Sequence, residues 1–411
     1  MDRRTALKLG GLGALGFGFG GCAARTQART VPARPAIALP PVDVSWDRVI
    51  RTTVGLRPHR PSGFVLKAEK VDAKTIIHNY GHGGAGMSLS WGTGLMAADL
   101  AMAHDDRRAA VIGCGAVGLA AARQLQRRGF AVTIYAMAIP PNTTSNMSLA
   151  GFTPTSGLVE PDRRTSEWDQ QFHDAADAAY RQLQLLVGST YGISWIYSYN
   201  PMNELRQPSE GGDRADLQAG LQPGAVTLQP GEHPFATRYA VRRASLRIEP
   251  SIYLDAVLRD FLLFGGRVVI RKFDTPRDLM SLTESLIVNC TGLGSRALFA
   301  DEELVPLKGQ LVVLVPQSEV NYGTIGGSRS AASAPGIGIH MMPRTDGIAL
   351  GGTSERGVWT MEPNEAERRR VVEGHMELFA GMHPPRSGVH AGLVETPTEV
   401  PSLESHFGFP S

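Results

Sequence analysis

Three glycines at fixed spacing set the strongest constraint on what this chain can fold into. Arg108-Ala-Ala-Val-Ile-Gly-Cys-Gly-Ala-Val-Gly118 puts a short apolar run ahead of Gly113-x-Gly115-x-x-Gly118. Leu119 to Arg128 continues at helical spacing, and after Gly129 a second apolar run extends from Ala131 to Tyr135. Strand, tight turn, helix and strand in that order make a βαβ unit of a parallel sheet, and the glycine spacing inside it predicts a dinucleotide site. Gly113 would form the turn, Gly115 would let the backbone approach a pyrophosphate, and Gly118 would let helix and strand pack closely. The helix start, with Ala116 and Val117, would offer free N–H groups to the phosphates. Such a unit usually ends in an acidic residue for the ribose hydroxyls, where this chain has Ala136 and Met137. The ribose must then be held in another way, or less tightly. Cys114, inside the turn, reads as a small filler between helix and strand.

Composition narrows the class. Apolar residues are 42% and charged residues 19%, which excludes a disordered chain and a polytopic membrane protein. Lys plus Arg number 41 against 39 for Asp plus Glu, so the net charge of +2 carries no footprint for nucleic acid or for an anionic membrane as the primary partner. The three cysteines, Cys22, Cys114 and Cys290, are too few for a disulfide framework or a four-ligand zinc site, and no metal is expected. Forty-seven glycines in 411 residues exceed the ordinary share of about 7% and call for tight turns and close backbone contacts.

About 90 residues separate Cys22 from the glycine turn, although such turns commonly open a chain. The first of them form an address. Arg3-Arg4 precede an uncharged Gly/Leu/Phe/Ala run, which resembles a twin-arginine export signal, and Phe19-Gly-Gly-Cys22 resembles a lipobox. Residues 1–21 are expected to be the signal and 22–45 a tether, placing the protein in the periplasm or at the cell surface with a lipid anchor at Cys22. The alternative is a short membrane anchor or an accidental apolar terminus. Export of a folded chain would suit one that takes up a cofactor first.

The region before the turn holds Val54-Gly-Leu-Arg-Pro-His-Arg-Pro61 and Ile77-His-Asn-Tyr-Gly-His-Gly-Gly-Ala-Gly-Met-Ser-Leu-Ser-Trp-Gly92. After it come Pro140-Pro-Asn-Thr-Thr-Ser-Asn146, Val288-Asn-Cys-Thr-Gly-Leu-Gly-Ser295, Leu307-Lys-Gly-Gln310 and Met342 to Thr353. These segments resemble the D-amino-acid oxidase family of FAD enzymes, in which the first two lie near the C-terminus. The chain thus resembles a circularly permuted member, whose ordinary order would return if Phe379 were spliced to Asp47.

The resemblance implies an α/β fold with a Rossmann-type FAD-binding domain and an antiparallel-sheet substrate domain. The expected divisions are 46–63 (substrate-domain interface), 64–165 (FAD-binding), 166–244 (substrate), 245–305 (FAD-binding), 306–385 (substrate) and a tail at 386–411. FAD is the cofactor implied. Besides the turn, it would be held by Thr143, Thr144 and Ser145, by Thr291 and Gly292, and by Gly81, His82, Gly83, Gly84, Ala85 and Gly86 at the entry of a helix. That helix would aim its positive end at the ring where charge grows on reduction. Phe152 and Thr153 would turn toward the ring. Arg57 aligns with the carboxylate-binding arginine, Gly84 with a carbonyl that receives the substrate amine, and His340 stands where the family has a tyrosine. A second tyrosine position is Gly336, and Gly326 to Gly338 corresponds to a lid. Arg60 and Tyr253 read as structural, and Glu365 to Arg370 as a solvated helix face. No alignment is found for the stretch 187–231.

The expected activity is hydride transfer from the α-carbon of an amino acid or amine to the flavin, giving an imine, then an oxo acid and ammonia, with dioxygen or a quinone as acceptor. The alternatives are a flavin-binding lipoprotein without turnover and an NAD-dependent dehydrogenase.

Overall fold

The parallel sheet that the glycine turn requires is present, and residues 65–80, ahead of that turn in the chain, supply two of its strands. The computed structural model describes residues 36–149, 151–205, 224–326 and 338–383. The export signal, Cys22 with its tether up to residue 35, Gly336 with nearly all of the expected lid, and the tail lie outside the described residues. One sheet has the strand order β2 (Val65–Val71), β3 (Lys74–Tyr80), β10 (Leu286–Asn289), β4 (Arg108–Ile112), β5 (Ala131–Ala136) and β9 (Arg267–Ile270). Only the β2–β3 pairing is antiparallel. A second sheet runs β1 (Val49–His59), β11 (Val305–Leu314), β14 (Gly347–Gly351), β13 (His340–Arg344), β12 (Tyr322–Ile325), β6 (Ile193–Met202), β8 (Tyr239–Ile248) and β7 (Val226–Leu228), with β15 (Glu355–Arg356) beside β11. The residues that precede the glycine turn therefore supply an edge strand to each sheet.

Four helices cover the parallel sheet: α1 (Gly86–Ala101), α2 (Ala116–Arg127), α3 (Ser166–Leu185) and α4 (Pro250–Leu263). A fifth, α5 (Glu365–Ala380), packs Val371, Val372, Leu378 and Phe379 on the second sheet. The helix starts are local chemistry. Thr165 accepts a hydrogen bond from the Trp168 N–H, and Asn364 caps Ala366 and Glu367, so each occupies donors that a helix leaves unsatisfied. Helix α1 is buried along most of its length because its neighbours cross it at glycines. A Cβ on Gly92 would lie 1.7 Å from the Ala175 carbonyl oxygen of α3, and one on Gly94 would lie 2.9 Å from the Ala121 nitrogen of α2.

Helix α3, expected with the substrate sheet, packs instead into the core beneath the nucleotide sheet through Trp168, Phe172, Ala176, Ala179 and Leu183. Its amphipathic pattern shows that one face is buried but not which sheet covers that face. Tyr253 is buried in α4 and accepts a 2.7 Å hydrogen bond from Trp91 Nε1, the structural role expected of it.

Two buried histidines make the fold sensitive to acid. Burial pushes His82 down to about 3 and His375 down to about 4, against the ordinary 6.5. The unfolded chain therefore binds more protons than the native one in the window between these values and 6.5, and stability must fall as pH falls through it. Denaturant titrations between pH 6.5 and 4 should show uptake of roughly two protons on unfolding from this pair. A His375→Gln variant that left the slope unchanged would remove His375 from this account.

Candidate functional site

The glycine turn lies at the C-terminal end of β4. Gly113 has φ +113°, a conformation open to glycine, and a Cβ there would lie 2.4 Å from the Cys290 carbonyl oxygen. A Cβ on Gly118 would lie 2.0 Å from the Gly113 carbonyl oxygen, so turn and helix touch backbone to backbone. At the start of α2, the Ala116 N–H donates to Ser145 Oγ at 3.0 Å. The N–H groups of Val117 and Gly118 bond no other described residue. This cradle of free donors at the positive end of a helix fits a dinucleotide pyrophosphate. The unit ends at Ala136 without an acidic residue, and Met137 is 73% exposed.

Of the three hydroxyls expected at the phosphates, Ser145 alone meets the turn. Thr143 is buried and donates to Asn146 Oδ1 at 2.7 Å, while Thr144 is exposed. Thr291 is likewise turned inward, its hydroxyl bonded to Asn289 Oδ1 at 2.8 Å, and Gly292 lies against Pro58.

The start of α1 adjoins the start of α2: a Cβ on Gly86 would meet Val117 Cγ2 at 3.7 Å. Two positive helix ends thus converge, with the Gly86 and Met87 N–H groups unbonded among the described residues. Gly81 and Gly83 both have positive φ in the loop leading there, and Ala85 is the N-cap. The Gly84 N–H donates to the Ser156 carbonyl at 2.8 Å, and no described residue donates to the Gly84 carbonyl. His82 departs from expectation. Its imidazole is buried, 3.1 Å from Thr93 Oγ1 and stacked on Phe64, so the side chain is core and only its backbone belongs to the loop. Phe152 is also core, packed against Tyr180, and the Thr153 N–H donates to Ser88 Oγ at 2.8 Å.

Strand β1 brings Arg57 to this loop, because the Gly83 N–H donates to the Pro58 carbonyl at 2.8 Å. Arg57 Nε donates to the Leu307 carbonyl and Nη2 to the Thr353 carbonyl, each at 3.1 Å. Among the described residues no carboxylate pairs with it, and burial lowers its pKa from the ordinary value. The side edge of the guanidinium is spent on these backbone anchors, and Nη1 has no hydrogen-bond partner among the described residues. Arg60, by contrast, is bonded to Asp301 at 2.9 Å and Glu303 at 2.8 Å, as a structural arginine would be.

His340 opens β13 on the same sheet face as Arg57, through the pairings His340↔Gly351 and Arg57↔Leu307. Its ring lies across β14: a Cβ on Gly351 would lie 2.4 Å from His340 Nε2 and 2.7 Å from Leu311 Cδ2. Burial, reinforced by His375 and the Arg57 charge, pushes the imidazole down to about 3, so it is neutral at pH 7. The expected donor is therefore a neutral ring N–H, not an imidazolium.

Arg57 is thus brought near both the Gly83–Gly84 loop and His340, and sequence reading missed what supports this arrangement. Residues 156 and 157 close the loop from behind: His59 Nδ1 lies 2.9 Å from the Gly157 carbonyl, and a Cβ on Gly83 would overlap that same oxygen. Behind the β10 exit, Asn289 Nδ2 is bonded to His78 Nδ1 at 3.1 Å and to Ser295 Oγ at 3.0 Å, and His78 Nε2 lies 2.9 Å from Glu69. With Nδ1 accepting, His78 must carry its proton on Nε2 and donate to Glu69. The polar residues inside the otherwise apolar runs around 78 and 289 were the available signal for this network. Cys114 and Cys290 are buried thiols whose pKa burial raises, Cys114 to about 12.

Residues 108–409 match the family described as "FAD dependent oxidoreductase" (DAO). A D-amino-acid oxidase of Rubrobacter xylanophilus is 25% identical over 311 residues, covering 73% of this chain and 89% of that protein. A D-aspartate oxidase of Homo sapiens is 26% identical over 287 residues, covering 68% and 78%. Among solved structures, L-proline dehydrogenase from P. horikoshii aligns with a TM-score of 0.48 at 15% identity, covering 67% of this chain and 78% of that one. With a dinucleotide cradle, a helix end beside it and a family match over most of its length, the chain belongs to the DAO family of FAD-dependent oxidoreductases.

Proposed function

We propose that this protein oxidises the α-carbon of a free amino acid, giving an imine that hydrolyses to an oxo acid and ammonia. The observation that carries the reading is Arg57: a guanidinium fixed by two backbone carbonyls, with no carboxylate partner among the described residues, on the strand that bonds the Gly83–Gly84 loop. FAD, held by the Gly113–Gly118 turn, Ser145 and the start of α1, supplies the hydride acceptor when bound. Arg57 would grip the substrate carboxylate end-on with two parallel hydrogen bonds. The Gly84 carbonyl would accept from the amine, and the neutral His340 would add a donor to the carboxylate. Two fixed contacts on neighbouring substituents orient the α-carbon hydrogen, which is most of what such a transfer requires.

The test is an anaerobic spectrum of the purified protein with D- and L-amino acids. Bleaching of the flavin bands by at least one is expected, and no change with any would sink the amino-acid reading. The enantiomer that bleaches gives the stereochemistry, and reoxidation by dioxygen against a quinone gives the acceptor.

Gly351 tests the placement of His340. Gly351→Ala should displace the ring and raise KM roughly 10- to 100-fold with a smaller change in kcat. In a His340→Ala background the same substitution should cost little more. Additive losses in the double variant would show that Gly351 does not act through His340.

The permuted order is part of the proposal. It is supported by the family match beginning at residue 108 and by the nearness of the first and last described segments, since Tyr322 donates to the Pro40 carbonyl at 2.7 Å and lies 3.9 Å from Met382 Sδ. A chain restarted between β4 and α1 with residue 382 linked to residue 37 should still take up flavin. Export and lipidation at Cys22 complete the reading, and a Cys22→Ser variant that still incorporated labelled fatty acid would overturn the anchor.

A further inference from the structure

The end of the nucleotide domain opposite the glycine turn is built differently from the rest of the surface. Helices α1, α2 and α4 each run back to the N-terminal end of a strand, β4, β5 and β9, and these three strands are neighbours. Their C-termini must therefore lie along one edge. Helix α2 ties the ends together. Arg128 Nε donates to Asp99 of α1 at 3.1 Å, Arg127 Nη1 to Gln182 of α3 at 2.8 Å, and Gln126 Nε2 to the Phe264 carbonyl after α4 at 3.2 Å.

At this end three of the helices, α1, α3 and α4, expose apolar side chains that ordinary helix ends would bury or lack. Leu185 is 78% exposed, Leu263 76% and Phe264 70%, with Leu100 and Met102 also exposed. Arginines stand among them: Arg107, Arg108, Arg123, Arg127, Arg128 and Arg267, against Asp99, Asp105, Asp106 and Asp260, with no lysine or glutamate in these turns. Arg123 lies over the Phe264 ring at 4.3 Å. The helix C-termini account for some cations, since basic groups favour the negative end of the dipole. They do not account for exposed leucine and phenylalanine beside them. Such a patch exceeds the scattered apolar residues of a normal surface.

We propose that this face rests on an anionic lipid surface. Arginine excess beside exposed aliphatic and aromatic side chains is complementary to anionic headgroups over an apolar layer. It would disfavour a second copy of the same face through like charge. No described helix is long and apolar enough to cross a membrane. The consequence concerns access. Helix α1 has 16 residues, so its start beside Arg57 would stand roughly 24 Å above the lipid face, with the substrate site turned to water. This inference does not depend on which substrate is oxidised.

The test uses the full flavin-loaded chain carrying Phe264→Cys or, as a control site, Trp359→Cys, each labelled with bimane, with the unsubstituted protein as the labelling blank. On vesicles containing phosphatidylglycerol, the label at 264 should shift to the blue and be quenched by spin-labelled lipid, while the label at 359 stays water-like. Vesicles of phosphatidylcholine alone should give a smaller effect. A water-like signal at 264 on both vesicles, with flavin absorbance intact, would overturn the proposal. So would equal quenching at both sites, or a shift at 264 that rises with protein concentration without vesicles, which would identify a second copy as the occupant.

Discussion

Replacing Arg57 by lysine or alanine is expected to lower kcat/KM for amino-acid substrates by on the order of 10²- to 10³-fold, most of it in KM, with the flavin spectrum unchanged. The magnitude follows from removing one partner of a buried charge pair, which costs about 2 to 5 kcal/mol. Lysine should rescue little. Its ammonium cannot reproduce both the anchors to Leu307 and Thr353 and a two-point grip on a carboxylate. The measurement is steady-state kinetics of both variants against the substrate found by anaerobic bleaching. Turnover within a few-fold of the parent would remove Arg57 from the site, whereas loss of flavin would recast it as a packing residue between β1 and β11.

Gly118→Ala should produce protein that folds but retains little FAD. The added methyl would fall 2.0 Å from the Gly113 carbonyl oxygen, and neither neighbour is the end of a flexible side chain. Relief requires moving the start of α2 away from the turn, which removes the Val117 and Gly118 N–H groups from the pyrophosphate. A displacement of about 1 Å in such a preorganised contact can cost on the order of 10²-fold. The ratio of flavin to protein after purification, and the rise of melting temperature with added FAD, report the loss directly. Full flavin occupancy and a parental melting response would mean that the turn does not bear on the cofactor.

Several elements are legible in the amino-acid order because the constraint on them is local. The βαβ unit shows itself through apolar runs and glycines within thirty residues, and strands Arg108–Ile112 and Ala131–Ala136 with the helix between them appear as expected. Helix α1 after its glycine cluster, the structural roles of Arg60 and Tyr253, and the buried Cys114 are readable for the same reason. The residues that resemble one family also point to Arg57, Gly84 and His340, which lie far apart along the chain.

What stays hidden depends on partners distant in sequence. That His82 is core follows from Phe64 and Thr93 closing over it, and nothing in His-Gly-Gly distinguishes a ring facing a cofactor from one facing Thr93. Thr143 and Ser145 differ by two positions, yet one turns inward to Asn146 and the other reaches the α2 start, because a short helical turn rotates them apart. The face assigned to α3 depended on which sheet lay nearest. A neutral His340 required the burial supplied by β14 and α5.

The sequence by itself determined the dinucleotide turn, the helix beyond it and the kind of chemistry that an arginine and a glycine-rich helix entry serve, because spacing along a chain dictates turns, caps and periodic faces. Only the tertiary structure decided which edge of Arg57 is open, which hydroxyl meets the turn and where apolar helix ends gather. Those outcomes rest on backbone carbonyls and close glycine contacts between segments as distant as Arg57 and Thr353, whose hydrogen-bonding groups are identical at every residue and acquire meaning only by position.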